Sequence, residues 1–216
     1  MPARLRPTAD VAADAILVGD PGRALMLAQE LLEQPKMSNH ARGLWGYTGV
    51  TDEGHQLTIQ STGMGGPSAS VVVADLAELG VKRAIRVGTC TSLGSLGLGD
   101  LVVVEDARGA FPTHEDAKAP RPDSALTAAL RDRLPEARVA SIVSLDTLYR
   151  PERDLPSLRA DAADMQTAGL FAAAAEHEVA VAAVLIVSEK SDSGHLRDDD
   201  LEEAAKRAGA AAAAIL

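Results

Sequence analysis

The stretch that decides the fold is ILVGDPGRALMLAQE, residues 16–30. An apolar run, Ile16-Leu17-Val18, passes straight into Gly19-Asp20-Pro21-Gly22-Arg23, and a helical pattern follows at once. Gly19 lets a ligand approach the backbone closely. Asp20 and Pro21 suit an N-cap and a first helical position. The helix N-terminus then offers free N–H groups and a partial positive charge. Arg23 adds a cation whose fork geometry matches an oxyanion. The same residues also suit an ordinary helix start with a solvated arginine.

Outward from this stretch the chain alternates. Residues 15–18, 56–61, 83–88, 100–106, 137–144 and 179–188 read as strands. Residues 22–34, 67–80, 123–134, 164–177 and 199–216 read as helices. In the first helix Ala24, Leu27, Ala28 and Leu31 share a face. Residues 109–123, rich in Pro and charge, read as a surface loop. Strands alternating with helices imply an α/β fold, a mostly parallel sheet between helical layers. No linker divides the chain and no repeat is visible, so residues 1–216 are expected to form a single domain.

Composition narrows the function. Hydrophobic residues make up 46%, enough for a sizeable core, but aromatics only 2%. The core must be Ala, Val, Leu and Ile, and stacking platforms for nucleic-acid bases are lacking. A net charge of -10 gives no counterion-release advantage on DNA or RNA. One cysteine, Cys90, excludes an internal disulfide and fits a reducing compartment. No signal-peptide pattern or 18-residue apolar run occurs, so a cytoplasmic protein without membrane contact is expected. His40, His55, His114, His177 and His195 are scattered without paired spacing, so no metal site is expected.

Two more strand ends carry unusual chemistry. STGMGGPSAS (61–70) places three glycines and a proline between strand and helix, either a backbone cradle or a tight turn. IRVGTCTS (85–92) places Arg86 inside an apolar strand, two residues before Gly88. A buried arginine is costly without an anionic partner, whether a ligand or an internal carboxylate. Thr89 can offer its hydroxyl to the same anion. Together the three ends could aim two arginines, a hydroxyl and several N–H groups at one place, an oxyanion site. Neither a Walker loop nor a strand-borne GxGxxG is present.

GDPGRA (19–24), NHARGLWGYTG (39–49), STGMGGPSAS (61–70) and IRVGT (85–89) occur in this order. So arranged, they resemble the signatures of the purine nucleoside and uridine phosphorylase family. The likeness is close over 15–106 and looser through SLDTLYRP (144–151), DMQTAGLF (164–171) and LIVSE (185–189). The resemblance implies a three-layer α/β/α fold of phosphorylase/hydrolase type with a mixed, mostly parallel sheet. It implies phosphate-dependent cleavage of a nucleoside, most simply a purine one, to base plus ribose 1-phosphate. Inorganic phosphate would be a co-substrate, with no other cofactor. Gly19, Arg23, Arg86 and Thr89 match phosphate ligands, and Arg42 the arginine given to a neighbouring subunit's site, in a homodimer or a hexamer of dimers. Tyr149, Met165 and Gln166 fall at nucleoside and ribose positions. Glu189 stands where purine-specific members carry the acid that protonates the leaving base. Arg86 and Glu189 are thus the expected catalytic groups.

The chain departs from the family in its nucleoside half. Gln166 replaces a ribose-binding glutamate, and losing a charged hydrogen bond costs roughly 2–3 kcal/mol. Glu189 replaces an aspartate. Leu148 replaces a stacking aromatic, Thr91 a glycine. The family's N-terminal histidine is missing near Ala3. Asp146 is a candidate support for Arg86, Lys206 and Arg207 for the acid, and Trp45 and Tyr47 for a subunit contact. Cys90 reads as a small core residue. The alternative to an active phosphorylase is a divergent member that holds phosphate or a sugar phosphate with little or no turnover. A hydrolytic nucleosidase would not need the arginines.

Overall fold

The computed structural model describes residues 4–109, 121–147, 159–190 and 194–216. Strand β1 (Asp14–Val18) sends Ile16 and Val18 to one face and Ala15 and Leu17 to the other, and all four are buried. A strand covered on both faces needs an unbroken apolar run, which this one has. Helix α1 (Pro21–Leu31) starts where Asp20 accepts the Gly22 N–H at 2.7 Å. It ends at Leu31 rather than at residue 34. Gln34 takes a φ of 44° and Pro35 follows, so the chain turns out of the helix into strand β2 (Glu33–Asn39). A single 3-10 turn (Ala41–Gly43) leads to β3 (Gly46–Val50), and β4 (Gln56–Ser61) follows.

Helix α2 (Gly66–Glu78) carries Pro67 in its first turn. Its buried Asp75 accepts the backbone N–H groups of Arg4 and Leu5, which fixes the N-terminal segment to the helix. Then come β5 (Arg83–Ser92), β6 (Leu101–Gly109), α3 (Ser124–Arg133), β7 (Arg138–Ser144) and β8 (Ala162–Asp164). The chain closes with α4 (Thr167–Glu176), β9 (Ala180–Lys190), β10 (Gly194–His195) and α5 (Asp198–Ala213). The helix expected from residue 164 starts at Thr167, because Asp164 stays extended and its carboxylate accepts the Thr167 N–H at 3.0 Å. Most of the expected 109–123 loop lies outside the described residues.

The strand order is β10-β9-β6-β7-β8-β5-β1-β4-β3-β2, with β9 also paired to β5. Parallel ladders join β4, β1, β5 and β9, and also β6, β7 and β8. Antiparallel pairing is confined to the two edges and to the joins β5–β8 and β6–β9. Strands β5, β9, β6, β7 and β8 therefore form a closed ring. The edge strand β2 tolerates Pro35 because it has only one neighbour.

Helices lie on both faces. On one, Leu27, Leu130 and Ala205 from α1, α3 and α5 pack on Ile16, Ile85 and Val184. On the other, Val72 and Leu76 of α2 and Leu170 and Phe171 of α4 pack on Leu17, Ala84 and Leu185. Tyr47 is buried in the first of these cores, with Trp45 half-buried against it. Tyr47 is thus a packing residue of the protomer. No helix among the described residues is long and apolar enough to cross a membrane.

Candidate active site

The carboxyl ends of β1, β4 and β5 meet at one rim of the sheet. Val18 lies opposite Ser61, and Leu17 opposite Arg86. The Thr62 N–H donates to the Val18 carbonyl at 2.7 Å, which ties the first two ends together. Gly19 continues from this point. A Cβ there would meet Gly63 O at 3.4 Å and Gln166 Oε1 at 3.7 Å, ordinary contact distances. The protein's own atoms therefore do not demand glycine at 19. Its effect is to keep backbone surface open beside Gln166 and the 62–65 turn, as a close-lying ligand requires.

Arg86 is buried and held at all three of its nitrogens. Nε donates to Thr167 Oγ1 at 3.1 Å, Nη1 to Gln166 Oε1 at 2.6 Å and Nη2 to Asp164 Oδ2 at 3.2 Å. A Cβ at Gly88 would lie 2.6 Å from Nη2 and 2.7 Å from Cζ. The guanidinium thus lies across the bare backbone of Gly88. Gln166 is a bridge: its Nε2 donates to Gly63 O at 2.6 Å, and its Oε1 also faces the Thr62 hydroxyl at 3.1 Å. A carbonyl on one side and a guanidinium on the other fix which end of the amide is which.

The counter-ion of Arg86 is Asp164 and not Asp146, the candidate that the sequence suggests. Asp146 is exposed beyond the end of β7. Asp164, at the end of β8, accepts the Ser144 hydroxyl at 2.5 Å and the Thr167 hydroxyl at 2.5 Å. The only sequence signal for it is an acid directly before a helix start in DMQTAG. Thr62, Ser144 and Thr167 are likewise hydroxyls whose role shows only once four elements meet.

Arg23 stands in the first turn of α1. Burial lowers its pKa; Asp20 opposes this and the Arg86 charge adds to it. Two guanidinium groups thus feel one another at the rim, and among the described residues no carboxylate forms a salt bridge with Arg23. Two nearby positive charges favour an anion at this rim. Thr89 is half-buried, and strand alternation puts it on the α1 face with Ile85 and Val87. Arg42 is exposed on its 3-10 turn with φ 60° and ψ 17°. The structure thus brings Gly19, Arg86 and Gln166 together, with Arg23 in the first turn of α1 after Gly19 and Thr89 three residues beyond Arg86.

On the other side, Met165 is half-buried between Asp164 and Gln166. Glu189, at the end of β9, accepts the Thr91 hydroxyl at 3.1 Å and lies 3.6 Å from Nδ1 of His195, its cross-strand partner on β10. His195 is a neighbour that spacing alone does not single out. Tyr149 and Leu148 lie outside the described residues. Lys206 pairs with Glu202 at 2.9 Å and Glu30 at 3.9 Å along the α5–α1 surface, and Arg207 is exposed; neither is bonded to Glu189. Cys90 is buried, and burial pushes its thiol pKa up, as for an inert core residue.

Known proteins resemble this chain in sequence and fold. The family model described as phosphorylase superfamily matches residues 14–216. The "Purine nucleoside phosphorylase DeoD-type" of Caldanaerobacter subterraneus subsp. tengcongensis is 34% identical, with 86% of each chain covered. That of Bacillus cereus (strain ZK / E33L) is 34% identical, with 86% of this chain and 85% of the relative covered. The crystal structure of purine nucleoside phosphorylase from Toxoplasma gondii in complex with immucillin-H superimposes with a TM-score of 0.85 at 24% identity, covering 95% of this chain and 91% of that one. That superposition bears on the fold: the ring of strands and its helical layers are shared. From a family match over nearly its whole length, and relatives aligned across most of both chains, it follows that the protein belongs to the phosphorylase superfamily.

Proposed function

We propose that the protein is a nucleoside phosphorylase, with residues 1–216 acting as one domain, that cleaves a purine nucleoside with inorganic phosphate. The observation that carries this reading is the buried Arg86 guanidinium bonded to Gln166 beside the open backbone of Gly19, with Arg23 in the first turn of the helix that follows Gly19. The names of the relatives add the reaction class. Arg23, Arg86, the Thr89 hydroxyl and the Gly19 backbone hold phosphate, with Arg42 supplied by a second copy of the chain. Met165, Gln166 and Tyr149 hold the nucleoside. Phosphate is a co-substrate, and no other cofactor takes part.

In this mechanism a phosphate oxygen attacks C1′ of the sugar. The C1′–N bond breaks, its electron pair goes to the base, and the products are free base and pentose 1-phosphate. Arginines that hold the nucleophile within reach and keep its charge supply proximity and electrostatic stabilisation. Glu189, oriented by Thr91, donates a proton to the departing base, which lowers the cost of its leaving.

The test is base release from inosine, adenosine, guanosine, uridine and methylthioadenosine, each with and without phosphate. Phosphate-dependent release of a purine base, abolished by Arg86→Ala, is the expected result. Release without phosphate would mean a hydrolase. No release together with phosphate binding by calorimetry would mean the divergent binder, a reading that the engaged Gln166 amide favours.

A further inference from the structure

We propose that Asp164 is the positioning residue of the anion site, acting through Arg86. The inference deepens the reading above and rests on it only for the identity of the anion. A guanidinium has five N–H donors. Three are committed inside the protein, to Thr167, Gln166 and Asp164, which leaves one each on Nη1 and Nη2 for a ligand. Which two remain is decided by how the plane of the guanidinium is set. Of the three acceptors only Asp164 is charged.

The carboxylate is itself immobilised from two elements, β7 and α4. Oδ1 accepts the Ser144 hydroxyl from β7 at 2.5 Å, and the same Ser144 oxygen accepts the Ala168 N–H of α4 at 2.9 Å. Oδ2 accepts the Thr167 N–H at 3.0 Å and its hydroxyl at 2.5 Å. The Thr167 hydroxyl hands the restraint on, because its oxygen also receives Arg86 Nε at 3.1 Å. Asp164 therefore grips Arg86 twice, directly at Nη2 and through Thr167 at Nε. Both side chains are almost fully buried, at 5% and 1% exposure, so solvent screening does not dilute the pair. Removing a carboxylate raises the positive potential at the rim, which by itself would tighten anion binding. The proposal states that loss of orientation outweighs that gain.

Two measurements test it. The first needs no ligand. In 15N-edited NMR the Arg86 Nε–H, identified by its loss in Arg86→Lys, is expected to exchange slowly in the wild type and to join the fast-exchanging arginines in Asp164→Asn. If it stays protected in Asp164→Asn, the proposal is overturned whatever the protein binds. The second is calorimetry with inorganic phosphate. Asp164→Asn should weaken binding about tenfold or more, the scale of one charged hydrogen bond. Ser144→Ala, which touches Asp164 but not Arg86 and leaves the ion pair present, should weaken it about threefold, a fraction of that scale. In an Arg86→Ala background Asp164→Asn should add nothing further, since residues that act through one another are non-additive. Unchanged or tighter binding, or an additive double variant, would make Asp164 a plain buried counter-charge. Should Asp164→Asn fail to fold, Ser144→Ala carries both measurements. A wild type that binds no phosphate would reject the functional reading, while the exchange measurement still judges Asp164.

Discussion

Gly88 shows how much of the site is set by single atoms. The Arg86 guanidinium occupies the space a side chain at 88 would need, and a Cβ there would also lie 2.9 Å from Leu185 Cδ2. Leu185 is fully buried, so the guanidinium is the group that must move. Gly88→Ala is therefore expected to cost about 1–3 kcal/mol of stability, the range for overpacking a filled interior. It should also raise the KM for phosphate more than that for the nucleoside, which is coupled to Arg86 only through Gln166. Thermal melting and steady-state kinetics with each substrate varied check this; a nucleoside KM raised as much as that of phosphate would contradict it. At this scale the sequence is legible where a residue type is costly by itself. An arginine in an apolar strand announces a partner, so Arg86 stands out. Asp164 does not, because an acid before a helix is commonplace. Its role exists only once β7, β8, β5 and α4 are brought together.

Among the elements, local chemistry sets the boundaries that are legible. Asp123 caps α3 by accepting the Leu126 N–H at 2.9 Å, as its place before an apolar-periodic run implies. Asp123→Ala should lower stability by about 1 kcal/mol, the usual value of such a cap. Because α3 packs on the sheet away from Arg86, turnover should be unchanged. Chemical denaturation alongside kinetics checks both; altered kinetics would mean that α3 is coupled to the rim. The boundaries that are not legible follow from competition between local and tertiary terms. The 3.6-residue pattern of α1 runs on to residue 34, but Pro35 and the left-handed Gln34 end it, and β2 forms because an edge position beside β3 is available. Strand β8 is three residues long, too short for any period to show. Its place is fixed by ladders to β5 and β7.

For the whole molecule, the ladder between β5 and β9 joins distant parts of the chain, and no pattern in either strand names its partner. The layered α/β class follows from alternation, whereas the ring follows from pairing. The site's completeness is a question at the same scale. Arg42 is exposed on a turn whose Leu44 packs against the 62–65 loop, a Cβ at Gly63 lying 3.2 Å from Leu44 Cδ2. On that loop Met64 is 87% exposed, and Met37 on β2 is 41% exposed. Apolar surface of this kind beside a cation with no salt bridge among the described residues suits a second copy of the chain, which would take Arg42 into its own site. Arg42→Ala and Arg86→Ala subunits should each be inactive as homodimers. In a mixed dimer one site lacks both arginines and the other has both. Random reassortment of equal amounts makes about half the dimers mixed, so activity should return to about one quarter of wild type. Mixing after mild dissociation, followed by a phosphorolysis assay, measures it. An Arg42→Ala homodimer that keeps full activity would remove Arg42 from the site. Inactive mixtures with proven subunit exchange would place Arg42 and Arg86 in the same protomer's site.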